Sequence, residues 1–396
     1  MKIFLITPIY ATTTQGSGAT PVVHYFAKEW VKQGHEVYVF NLRARFPKIF
    51  YWFSRMFQHQ LNSRLGMLVP TECPQEEDYE ADGVKVHCRL MKKMMPHSEY
   101  SHSEIDKAVN LISSFCDKYG LPDIFIGHWH NPQLEVLSEL KKKYGVKTAL
   151  VLHENKFSME RVYGDKLANM LNQIDVIGFR NQSAKVDYIR HYGEPKSSFI
   201  AYSGVSQVFL EEGKTFNPNF NDGIKNYIFV GSLIARKYPV EIVRALDASY
   251  EEKTYSMTFV GDGAERTNVE NARNKEGNGL VSFTGRIQRE EIVAHLKKAQ
   301  VFVMISKDEI FGLVYLEAMA LGLIPIGSRN EGIDGIIKDG INGFLCESGN
   351  EKELGSIIRK IQSMSCDDLD RISANAKQTV LDYSDSEVAK RYLESL

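Results

Sequence analysis

Short apolar runs alternate with stretches of helical periodicity from the first residues of this chain, the pattern of stacked βα units and a parallel sheet. Lys2 to Pro8 reads as a buried strand, followed by a loop containing Gly16 and Gly18. Thr20-Pro21 opens a helix because proline at the first helical position loses no useful N–H, and Gly34 supplies a left-handed stop after Gln33. Strands are then expected at Glu36–Phe40, Val84–His87, Ile124–His128, Thr148–His153, Val176–Phe179 and Phe199–Tyr202, making one doubly wound half. Past Val205 the pattern breaks into EEGKTFNPNFNDGIKN, rich in turn-forming residues. It restarts with strands at 227–230, 257–261, 281–284, 301–305, 324–327 and 343–346, and from Cys366 onward the periodicity is helical. The expected fold class is therefore α/β, with a first domain over 1–205, a linker over 206–225 and a second domain over 226–396, the last helix free to pack back on the first. Two such domains facing each other form a cleft at the C-terminal edges of their strands, where open sheets bind ligands.

Composition narrows the function. The 396 residues are 43% hydrophobic and 25% charged, ordinary globular usage. The formal net charge of −2 leaves no basic excess to hold a nucleic-acid backbone, so nucleic acid is not an expected partner. The apolar run Ile3–Ile6 is too short for a secretory or membrane-spanning segment. Five widely spaced cysteines without a CxxC encode neither a disulfide framework nor a zinc cluster, and a cytoplasmic location is expected.

The stretch SKDEIFGLVYLEAMALG, Ser306–Gly322, carries the most chemistry. A strand, a loop with Gly312 and a helix make a phosphate-binding geometry, since free N–H groups and the macrodipole at the helix start both favour an anion. Glu309 and Glu317 flank it in an E-x7-E spacing. From Gly312 to Glu317 a helix rises roughly 7 to 8 Å, comparable with the distance from a diphosphate to the ribose of the same nucleotide. The plainer alternative is an amphipathic core helix bearing two solvated glutamates. In FVGSLIARKYP, Gly231 ends a strand and Arg236 and Lys237 follow, cations suited to a departing nucleoside diphosphate or, alternatively, solvated loop charges. The loops at Gly263, in GDGAER, and at Gly285-Arg286 are weaker signals, each readable as a simple strand-to-helix turn. Neither GDGAER nor GSGATP completes a dinucleotide fingerprint, which removes the main support for hydride transfer.

The combination Glu309-IFGLVYL-Glu317, followed by AMALGLIPIGS and Gly340-INGFL, resembles the nucleotide-sugar half of the retaining GT-B glycosyltransferases. That large family includes sucrose-phosphate synthases and bacterial mannosyl- and glucosyltransferases. The resemblance covers residues 226–350 strongly. It covers the first domain only in layout, through the Gly16 loop, the GHEV segment at Gly34–Val37 and His153 at a strand end. It implies a GT-B fold of two Rossmann-like domains. It also implies that Glu309 and the backbone of Phe311, Gly312, Leu313 and Val314 hold the donor sugar, that Glu317 holds the ribose, that Gly285 and Arg286 border the base, and that His153 hydrogen-bonds the donor sugar. Where the family carries an arginine directly after the strand glycine, this chain has Ser232, and Arg236 stands in its place.

His128 and His130 in GHWHN invite a metal reading, but no third ligand has convincing spacing and a structural role is preferred for both. The DxD at Asp368–Asp370 falls in a helical stretch rather than on a strand-end loop, so no metal is expected. Residues 1–200 hold 25 Lys/Arg against 21 Asp/Glu, and the excess traces to residues 43–70. There Arg43, Arg45, Lys48, Arg55 and Arg64 surround Phe46, Phe50, Tyr51, Trp52, Phe53 and Phe57, and no acid occurs between Glu36 and Glu72. Cations with bulky aromatics suit an anionic membrane surface; core packing or an oligomer contact is the alternative. The expected function is a metal-independent, retaining hexosyltransferase without a cofactor. It would take a nucleotide-diphosphate sugar as co-substrate and a glycan or lipid-linked glycan as acceptor, in bacterial-type cell-surface polysaccharide or glycolipid synthesis, peripheral to the inner face of the membrane. A nucleotide-sugar epimerase and a non-catalytic sugar-nucleotide subunit are the alternatives.

Overall fold

The computed structural model describes residues 1–10, 21–58, 60–61, 69–96, 98–153, 156–250, 254–272 and 279–396, with backbone alone for 156–158. The chain divides into two compact units. The first comprises Met1–Gln58, Leu68–Tyr202 and Asp385–Leu396; the second is Ser203–Ser384, apart from residues 59–67, most of which lie outside the described set.

The first unit is built on eight strands: β1 (Lys2–Thr7), β2 (Glu36–Arg45), β3 (Glu77–Ala81), β4 (Val84–Lys92), β5 (Ile124–His128), β6 (Lys147–Leu152), β7 (Val176–Phe179) and β8 (Ser198–Ile200). Their order is β3-β4-β2-β1-β5-β6-β7-β8, parallel except for the edge strand β3, which runs antiparallel to β4. The central strands read as continuous apolar runs because helices cover both faces of a parallel sheet; Ile3–Ile6, Phe125 and Leu150 are fully buried. The helix Asp385–Glu394, far along the chain, belongs to this unit. Trp30 Nε1 donates to Ala389 O at 2.9 Å, and Tyr392 packs among Phe26, Trp30 and Phe199.

The second unit holds six parallel strands: β9 (Asn226–Val230), β10 (Ser256–Val260), β11 (Leu280–Gly285), β12 (Val301–Val303), β13 (Ile324–Ser328) and β14 (Phe344–Cys346), in the order β11-β10-β9-β12-β13-β14. Both sheets reverse direction of winding beside their first strand, between β1 and β5 and between β9 and β12. Such switch points splay the following loops apart and leave room for a ligand at the carboxyl ends. Among the described residues no helix is long and apolar enough to cross a membrane.

Residues 206–225, expected to be a linker, are an integral part of the second unit. Gln207–Thr215 is a helix with Phe209 and Gly213 buried. A Cβ on Gly213 would lie 1.9 Å from Ala320 O, so only glycine permits this approach to the helix Leu313–Ala320. Gln300 then ties the following turn, its amide donating to Gly223 O at 2.8 Å and accepting from the N–H of Lys225. The turn-rich composition marks an irregular path there, and buried side-chain bonds replace regular structure. The division between units falls at Tyr202/Ser203, slightly before the expected end of the first domain at 205.

Candidate functional site

In the second unit the switch point places the loop after β9 beside the loop after β12. The first runs from Gly231 through a tight turn, Ala235–Lys237, that ends where Tyr238 takes φ 50° and Pro239 opens the next helix. The second is fastened to it: Lys307 N–H donates to Arg236 O at 2.8 Å, and the Arg236 guanidinium donates to Lys307 O and Asp308 O at 3.2 Å each. This brings Lys237 Nζ to 3.3 Å and Arg236 Nη1 to 3.4 Å from Glu309 Oε2. Lys237 and Glu309 keep only 12% and 14% of their side chains exposed. Burial alone pushes the Glu309 carboxyl up, but the charges of Lys237 and Arg236 outweigh it and hold the group below its usual range. Two cations and one carboxylate thus meet at a strand edge.

Past Glu309 the chain turns through Phe311 to Gly312, whose φ of 73° is cheap only for glycine, and enters the helix Leu313–Ala320. No side chain caps its first turn. Glu317, inside that helix, is 1% exposed and accepts the guanidinium of Arg289. Arg289 starts a single turn, Arg289–Glu291, closed by a reciprocal capping box between Gln288 and Glu291. The solvated pair of glutamates considered above is therefore not what folds: both carboxylates are sheltered and paired with cations.

Glu331 and Gly332 belong to this arrangement and had no signal in the motif. Glu331 Oε2 accepts from Glu309 N–H at 2.8 Å, and Gly332 N–H donates to Glu309 O at 2.9 Å. A Cβ on Gly332 would come within 2.5 Å of Phe311 Cα, so glycine is what lets this loop seat the glutamate. Gly231 and Gly263 act similarly at the sheet edge: Gly231 N–H donates to Val260 O at 2.8 Å, and a Cβ on Gly263 would strike Leu233 O at 2.2 Å. Arg286 stands exposed just past β11. Gly16 lies outside the described residues.

In the first unit His153 follows β6 and His128 ends β5. Their rings meet through His128 Nδ1 and His153 Nε2 at 2.8 Å, and Tyr392 Oη lies 3.2 Å from His128 Nε2. Burial, with the positive charge of Arg180 nearby, pushes His128 down to about 3 and His153 well below its usual value, so both are neutral. Trp129 stacks on His153 at 4.0 Å between centroids and holds φ 64°, a conformation rare for a bulky residue. His130 stands apart from this pair, its ring edge-on to Tyr163.

A second buried group in this unit has no counterpart in the sequence motifs. Tyr163 Oη donates to Glu135 Oε2 at 2.6 Å, and Lys93 Nζ sits 4.6 Å above the Tyr100 ring. Burial raises Glu135 to about 7 and lowers Lys93 to about 8.

Residues 211–379 match the family of glycosyl transferases group 1. An uncharacterised glycosyltransferase of Methanocaldococcus jannaschii is 26% identical over 248 residues, 60% of this chain and 65% of that protein. The alpha-monoglucosyldiacylglycerol synthase of Acholeplasma laidlawii is 28% identical over 174 residues, 42% of this chain and 43% of that protein. This chain therefore spans less than two thirds of the length of these curated relatives. Sucrose-phosphate synthase from Thermosynechococcus elongatus superposes on 100% of this chain and 98% of its own, with a TM-score of 0.69 at 14% identity, a likeness of fold. Matched family and relatives are transferases, which favours neither the epimerase nor the non-catalytic reading. Two Rossmann-like units give this chain the GT-B fold, and its residues 211–379 match the family of glycosyl transferases group 1.

Proposed function

We propose that the protein transfers a hexosyl group from a nucleotide-diphosphate sugar to a hydroxyl acceptor with retention at the anomeric carbon. The observation that carries this reading is the convergence of Lys237 and Arg236 on Glu309 beside the uncapped helix start at Gly312. When the anomeric C–O bond breaks, the diphosphate gains charge, and preorganised cations with the helix dipole stabilise that charge without reorganisation. Lys237, Arg236 and the N–H groups of Leu313 and Val314 supply this without a metal or cofactor. The departing phosphate oxygen takes the acceptor proton on the face where the new C–O bond forms. Glu309 and the backbone of Phe311 and Gly312 orient the sugar, Glu317 accepts from the ribose hydroxyls, Arg286 and Gly263 border the nucleoside, and His153 hydrogen-bonds the donor sugar. Calorimetry with UDP-, GDP- and ADP-linked sugars, followed by anomeric analysis of the product, tests the reading; binding of none of them, or an inverted product, overturns it.

The acceptor we assign is a glycan or lipid-linked glycan of cell-surface polysaccharide or glycolipid synthesis, met at an anionic membrane face. Support comes from the helix Lys48–Met56: Tyr51 and Ser54 point inward, while Ile49, Trp52, Phe53 and Met56 are exposed together with Lys48 and Arg55. The lipid-acting relative named above points the same way. Sedimentation with anionic vesicles tests this part: partitioning that weakens with salt is expected, and no partitioning returns a soluble acceptor.

A further inference from the structure

We infer that Tyr392 is a positioning residue that sets, through His128, which ring nitrogen of His153 carries the proton. The inference rests on the proposed transferase reading for its catalytic consequence, and for the tautomer on the geometry of three buried side chains whose rings burial keeps neutral.

Three side chains form one line: Tyr392 Oη, 3.2 Å, His128 Nε2; His128 Nδ1, 2.8 Å, His153 Nε2. All three are buried, and both imidazoles are neutral. A neutral imidazole has one donor and one acceptor nitrogen, so fixing the direction of one bond fixes the other. A phenol O–H is a stronger hydrogen-bond donor than a neutral imidazole N–H, and an imidazole nitrogen accepts better than a phenol oxygen. Tyr392 therefore donates to His128 Nε2. His128 must then carry its proton on Nδ1 and donate it to His153 Nε2. That leaves the His153 proton on Nδ1, the nitrogen with no hydrogen-bond partner among the described residues. His153 thereby presents a donor, not an acceptor, to whatever approaches it.

Each link is held from outside the line. Trp129 stacks on the His153 ring at an interplanar angle of 15°, and its own N–H is tied to Val151 O at 3.0 Å. Positive-φ backbone at a tryptophan persists only where surrounding structure enforces it, and such sites cluster at function. At the far end Tyr392 is packed between Phe26, Trp30 and Phe199. A donor at this position suits a sugar hydroxyl oxygen, which accepts. Binding then requires no tautomer change at His153.

The test is nitrogen NMR of the full chain labelled with 15N-histidine, with His153 signals identified by their loss in His153→Asn. In the wild type at neutral pH His153 is expected as the Nδ1–H tautomer, and in Tyr392→Phe as a mixture of tautomers. Steady-state kinetics of Tyr392→Phe should show kcat lower by about tenfold with donor KM within twofold, an interaction expressed mainly in the transition state. Trp30→Phe, which disturbs the same packing but keeps the phenol, should leave the tautomer unchanged. A wild-type His153 protonated on Nε2, or cationic at neutral pH, overturns the inference irrespective of how any variant folds. So does an unchanged tautomer in a folded Tyr392→Phe, or an equal shift in Trp30→Phe. Absence of donor binding with the tautomer as expected overturns the transferase reading and leaves the positioning intact.

Discussion

Glu309 and Glu317 share one short motif, yet their partners separate their roles. Glu309 faces two cations at the sheet edge, whereas Glu317 sits inside the helix against Arg289. Removing a hydrogen bond to a charged group costs about 1.5–3 kcal/mol. Glu309→Gln is therefore expected to lower kcat roughly 10- to 100-fold, and Glu317→Gln to raise donor KM by a similar factor with little change in kcat. Donor kinetics of both variants within twofold of wild type would remove this helix from the donor site. Glu135 makes a prediction about stability. Burial raises its folded pKa to about 7 from a reference near 4.5, so between these values the folded chain keeps a proton that the unfolded chain has lost. Stability then falls as pH rises through that window, by about 1.4 kcal/mol per unit and at most about 3 kcal/mol in all. The neutral His128 and His153 act with the opposite sign below about pH 6.5, so the Glu135 contribution is read as a difference: from pH 5 to pH 7.5 in urea denaturation the wild type should lose stability relative to Glu135→Gln, and parallel profiles would show that Glu135 ionises normally. Lys93, lowered to about 8, acts in a separate window above that pH.

At the scale of elements, the helix Lys48–Met56 keeps its hydrophobic face outward. Trp52 is 58% exposed, and exposed side chains contribute little to folding. Trp52→Ser with Phe53→Ser should thus change stability by only about 0.5 kcal/mol per site while abolishing binding to anionic vesicles. A loss of several kcal/mol in urea denaturation would mean that these rings pack in the core. The same helix shows why most elements were legible in the sequence and some were not. Buried parallel strands such as Ile124–His128 and Val176–Phe179 announce themselves as apolar runs, and they fold with the expected bounds. The strand Glu77–Ala81, EDYEA, was not expected because an edge strand needs charges rather than an apolar run. Glu36–Arg45 continues past Phe40 through NLRAR, where pairing with Val84–Lys92 supplies the order that composition lacks.

For the whole molecule, what a sequence reveals of a site depends on chain distance. Glu309, Gly312 and Glu317 are read together because one loop and helix hold them. The pairs Arg289–Glu317 and His128–Tyr392 come together only through the fold, and nothing local marks them. The placement of the helix Asp385–Glu394 has a further effect on synthesis. Val205 N–H bonds to Tyr383 O at 2.8 Å, so the second unit meets itself at its two ends and is complete once residue 384 exists. The first unit, although made earlier, still lacks the helix that fills the space between Trp30, Phe199 and His128. A chain emerging from the ribosome should accordingly finish its second unit before its first. Residues 203–384 expressed alone should unfold cooperatively, whereas a chain stopped at residue 384 should show native amide-exchange protection in the second unit and reduced protection in β1 and β5. Equal protection of those strands with and without residues 385–396 would contradict this order. The unit translated first thus remains an unfinished client until residues 385–396 have been made, and any chaperone serving this protein has to guard the open groove along Trp30 until that helix arrives.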